Sequence, residues 1–109
     1  MSNFLRDQSK VRLDPVDGMF DLRAYAESGD PSIPLCAEMR QYTLAGRVVV
    51  SGTTATVSCV HGDMSDRDAR RDFDEVLRAM GVSAVIWETH KRGNIRMARR
   101  ELKQHKRPK

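Results

Sequence analysis

The chain has 109 residues, 39% hydrophobic and 31% charged, a balance that fits one water-soluble globular domain and excludes a fibrous or low-complexity protein. No apolar run approaches the roughly 20 residues of a membrane-spanning helix, and the opening MSNFLRDQSK has no apolar stretch of the secretory kind. Neither a membrane nor export by a signal peptide is therefore expected.

The net charge of +4 conceals a division along the chain. Residues 1–88 carry 10 Lys+Arg against 14 Asp+Glu, whereas residues 89–109 carry 9 against 1. A cationic segment appended to an acidic body suits an anionic partner, either nucleic acid or an acidic protein surface. Cys36 and Cys59 show no CxxC spacing, and a disulfide framework would need more cysteines, so both read as buried free thiols.

In chain order, Asp14 and Pro15 look like the cap and first residue of a helix over 15–28, ended by Gly29 and Pro31. The segment from Met39 to His61 is rich in Val, Thr and Tyr and predicts two or three antiparallel strands, QYTL, RVVVSG and TATVSCVH, turning at SGTT. In the last of these, Ala55, Val57 and Cys59 fall on one face. Ser65 is the expected cap of a second helix, whose apolar stripe is Ala69, Phe73, Val76, Leu77 and Met80 and whose stop is Gly81. Arg70, Arg71, Asp74 and Glu75 read as its solvated face. VSAVIWE, residues 82–88, predicts a central strand covered on both faces. A final helix from Asn94 would place Ile95, Ala98 and Leu102 on one side and Arg96, Arg100 and Lys103 on the other.

Residues 1–109 thus form a single expected domain, with a core from about 10 to 103 and a basic tail over 104–109. Its class is α/β, a small mixed antiparallel and parallel sheet with flanking helices. The strand–helix–strand unit over residues 54–88 implies a parallel crossover.

The pieces ATVSCVH, SDRDARRDFDEVLRAM, GVSAVIWETH and NIRMARREL resemble the second half of the GNAT acyltransferase fold, over residues 43–103. A narrower resemblance is to small GNAT-like proteins encoded in virion gene clusters of tailed phages, carried by RRDFDEVLRAMG, Trp87 and the pair Gly93-Asn94. GNAT enzymes hold the pyrophosphate of acyl-CoA in a glycine-rich loop before the long helix. Here that loop is HGDMSDRDAR, with only Gly62 and with Asp63, Asp66 and Asp68 where the anion would dock. The helix-borne tyrosine that often acts as general acid has no counterpart in NIRMARRELKQH, and Met97 replaces the usual alanine. The resemblance therefore implies a GNAT-like core without acetyl transfer and with no cofactor. It also implies a non-enzymatic structural or assembly protein of a phage particle, located in the host cytoplasm or the virion and contacting other protein subunits. A small acyl-CoA-dependent N-acetyltransferase and a basic nucleic-acid-binding module are the alternatives.

Cys59, His61 and Asp63 alternate, but Gly62 ends the strand between them, and no catalytic residues are assigned. The cysteines and histidines lack paired metal-ligand spacing, so no metal site is assigned either. The residues expected to contact a polyanion or an acidic partner are Lys91, Arg92, Arg96, Arg99, Arg100, Lys103, Lys106, Arg107 and Lys109.

Overall fold

The computed structural model describes residues 8–62, 65–91 and 93–102, with the backbone alone at 89–91. The elements are β1 (Ser9–Val16), β2 (Met19–Gly29), a short 3-10 turn (Leu35–Ala37), β3 (Tyr42–Ser51), β4 (Thr54–Gly62), α1 (Arg67–Ala79), β5 (Ala84–Lys91) and β6 (Asn94–Glu101). The strands make one six-stranded sheet in sequential order. All neighbours are antiparallel except β4 and β5, which run parallel and are joined through α1. The class is α/β with a mixed sheet, as expected, but α1 is the one α-helix among the described residues.

The expected helix over 15–28 is instead the turn and second arm of a hairpin. Asp17 and Gly18 both adopt positive φ, +48° and +82°, the requirement of a type I′ turn whose twist matches its strands. Val11 and Leu13 of β1 stand beside Ala24 and Leu22 of β2, a two-residue alternation that buries one face. Pro15 is tolerated because β1 is an edge strand. Gly52, at φ +62°, opens the two-residue turn from β3 to β4.

The final expected helix is also a strand. From Asn94 the chain returns antiparallel to β5, with Trp87 beside Ala98 and Val85 beside Arg100. Ile95 and Ala98 therefore lie on opposite faces of the sheet. VSAVIWE is a strand as expected, but it is fifth of six rather than central.

The predicted helix over 65–80 forms, starting one residue later than its expected cap. Asp66 is the N-cap, accepting from the backbone N–H groups of Asp68 and Ala69 at 2.8 and 3.4 Å. Lys10 Nζ sits 3.0 Å from the same carboxylate and holds it below its usual range. The helix ends in a Schellman turn, Gly81 N–H donating to Arg78 and Val82 N–H to Leu77. Ala69, Phe73, Val76 and Leu77 are buried, and Ala69, Phe73 and Leu77 form one core cluster with Val11, Leu22, Val48, Ala55, Val57 and Val85 on one face of the sheet. Burying an aromatic or aliphatic side chain of this size contributes about 1.5–3 kcal/mol.

Two further expectations are corrected. Cys36 and Cys59 are free thiols but exposed. Cys59 has φ +53° at a bulge where β4 gains a residue on β3, and this breaks the Ala55–Val57–Cys59 alternation and turns Val60 toward the core. Met39, at the start of the strand-rich segment, is 91% exposed.

Candidate polyanion-binding groove

The helix segregates its charges. At 100° per residue Asp68 and Asp72 lie on the flank toward β1, where Lys10 meets them and the N-cap Asp66 through its side chain and its backbone N–H. Arg67, Arg70, Arg71, Asp74 and Arg78 recur at helical spacing on the other flank. That flank faces the outer strands, because Trp87 and Arg100 point to the same side of the sheet as α1. Phe73 meets Trp87 edge to face, with ring centroids 5.5 Å apart.

Together Arg67, Arg70, Arg71, Asp74, Arg78, Trp87 and Arg100 line an open groove of about 450 Å³. Five guanidinium groups face one carboxylate there, a local net charge of +4. Asp74 is taken by a forked pair with Arg100, at 2.6 and 2.8 Å. Arg71 leans back to Asp68 at 3.5 Å. Arg78 Nε is buried with no acceptor among the described residues, a donor that a bound anion could satisfy. Clustered arginines beside an aromatic side chain suit phosphate oxygens, and Trp87 supplies the π surface.

The structure redistributes the basic residues expected from the sequence. Arg100 enters the groove and Arg96 lies on the same sheet face. Arg99 points to the opposite face and pairs with Glu101 at 3.1 Å. Lys91 ends β5, opposite Asn94. Arg92, Lys103, Lys106, Arg107 and Lys109 lie outside the described residues. Arg70 and Arg71, with Arg67 and Arg78 beside them, read in the sequence as plain solvated helix surface, although the spacing 67, 70/71, 74, 78 already held the signal.

The helix start, which stands where a phosphate-binding loop would lie, is otherwise employed. Asp66 occupies the N–H groups of Asp68 and Ala69 that would face an anion. Gly62 serves a close backbone approach, since a Cβ there would stand 2.2 Å from Thr43 O. Asp63 lies outside the described residues, and His61 is exposed beside Cys59. Among the described residues no group of three His, Cys, Asp or Glu side chains could hold a metal ion, and no helix is long and apolar enough to cross a membrane.

Comparison with known proteins returned no match: no protein-family model, no curated protein and no solved structure matches the chain.

Proposed function

We propose that the protein is a non-enzymatic binding domain whose groove between α1 and the outer strands holds the phosphate backbone of nucleic acid. One observation carries this: arginines from two separate elements, Arg67, Arg70, Arg71 and Arg78 of α1 and Arg100 of β6, converge on one side of Trp87. Phosphate contacts of this kind give affinity without sequence readout. The setting we propose is assembly of a tailed-phage particle, where a domain bound to neighbouring subunits would turn this groove toward packaged DNA. That setting rests on the resemblance of the helix and Trp-bearing strand to small GNAT-like virion proteins. A GNAT-like core is supported by the parallel β4–α1–β5 unit, while the strand at Asn94–Glu101 departs from it. Acyl-CoA binding is disfavoured by the carboxylate cap on α1.

The test compares the full chain with a triple variant, Arg67→Ser, Arg70→Ser and Arg78→Ser, for binding a fluorescent 20-nucleotide DNA, single- and double-stranded. The variant should bind at least about tenfold more weakly. Equal binding would remove the groove from the account, and a rise in melting temperature with millimolar acetyl-CoA would favour the acyltransferase alternative.

A further inference from the structure

We infer that the outer edge of β6 is a docking strand for an extended, acidic segment of a partner protein. This edge is distinct from the groove, which opens on the helix side of the sheet. All eight residues of Asn94–Glu101 are exposed, and among the described residues β6 pairs with β5 alone.

The direction of its backbone groups follows from one hydrogen bond. Leu102 N–H donates to Ser83 O at 2.8 Å, in register with the Ala84–Glu101 and Val85–Arg100 pairs. Antiparallel ladders alternate, so residues 94, 96, 98 and 100 point their N–H and C=O groups at β5. Ile95, Met97, Arg99 and Glu101 point theirs outward, a ladder ready for another strand.

Side chains determine which strand fits. On the open face Ile95 and Met97 are 63% and 57% exposed, an apolar pair beside which a docked strand could bury a β-branched residue. On the helix face the same strand would meet Arg96, Arg100 being turned to Asp74 in the groove. The matching segment therefore alternates apolar and acidic residues. A second copy of β6 is a poor occupant, because Arg96, Arg99 and Arg100 against Glu101 leave each strand at +2 and two such strands would repel. The opposite edge, β1, is blunted by Pro15 and by the Ile33 carbonyl that Arg12 holds at 2.7 Å.

The experiment uses the full chain and an eight-residue peptide alternating valine and glutamate, followed by amide hydrogen exchange. Saturating peptide should slow exchange at Ile95, Met97, Arg99 and Glu101 by at least tenfold, and a valine–lysine peptide should not. Met97→Pro removes an outward N–H while keeping the β5 ladder, and Arg96→Glu reverses the charge; each should weaken binding at least tenfold, whereas Met97→Ala retains the N–H and should retain binding. The groove variants Arg70→Ser and Arg78→Ser should leave the peptide affinity unchanged, so failure here is separable from failure of nucleic-acid binding. The inference is overturned if the outer amides stay unprotected at saturating peptide, or if the lysine peptide protects them equally. It is also overturned if a DNA oligonucleotide gives the same protection, or if protection follows the concentration of the chain alone.

Discussion

Replacing Glu38 by Gln tests how the connection between β2 and β3 is held against the sheet. The Glu38 side chain is 6% exposed and lies 3.0 Å from Arg12 Nη1, itself 2% exposed. Arg40 reaches the same carboxylate through Nε and Nη2, each at 2.8 Å, and stacks its guanidinium 4.1 Å from the centre of the Tyr25 ring. The hydrogen bond from Arg40, then that from Arg12, outweighs the cost of burial and holds Glu38 at about 2 rather than its ordinary 4.5. That difference sets a ceiling of about 3 kcal/mol on the contribution of the ionised carboxylate. Glutamine keeps the shape and loses the charge, leaving Arg12 with Asp14 alone as an acidic partner at 2.9 Å. Glu38→Gln should therefore lower stability by about 2–3 kcal/mol at pH 7 in urea unfolding. Because the folded carboxyl titrates below the unfolded one, its contribution is present above pH 4.5 and is lost as the pH falls through about 2. The gap between wild type and variant should close over that window. A gap under about 0.5 kcal/mol at pH 7, or one unchanged at pH 2.5, would refute the reasoning.

Gly62→Ala should destabilise by roughly 3 kcal/mol or more, since φ is +110° and the new Cβ would collide with Thr43 O. Gly81→Ala has positive φ but open space around it, so thermal or urea unfolding should show a loss of only about 1–2 kcal/mol. Phe73→Ala should cost about 3–5 kcal/mol and change the fluorescence of Trp87, the sole tryptophan, because the two rings touch. Asp74→Asn removes the one carboxylate in the groove. It should raise DNA affinity by about fivefold at low salt, on a Coulomb term near 1 kcal/mol, with fluorescence anisotropy as the measurement.

The parts of the fold legible in the sequence were those whose pattern had one interpretation. The stripe from Ala69 to Met80 repeats only at helical spacing, and TATVSCVH and VSAVIWE are too short and too β-branched for anything but strands. The β1–β2 hairpin was hidden by a conflict of local signals. Asp14-Pro15 reads as a helix start, but Asp17-Gly18 reads as a hairpin turn, and the alternation of Phe20, Leu22 and Ala24 decides for the hairpin once β3 lies alongside. β6 carries almost no local information, for an exposed edge strand has no need of an apolar face and NIRMARRE fits either period. Its pairing with β5 settles the matter. The groove was half legible: the C-terminal charge surplus was plain, whereas its partners on α1 alternate with acids in sequence and separate only on the helix surface. One consequence is that truncation after Gly93 removes a sheet strand along with its charges, so point substitutions on α1 are the cleaner probe.

The most direct test of the groove is the salt dependence of DNA binding, followed by Trp87 fluorescence in the full chain. Five arginines less one carboxylate give about four phosphate contacts, for which single-stranded binding should weaken about 50-fold between 50 and 200 mM salt. The Arg67→Ser, Arg70→Ser, Arg78→Ser variant should retain about one contact, weakening about threefold over the same range. Binding that is insensitive to salt, or a slope equal in the variant and the wild type, would contradict the account.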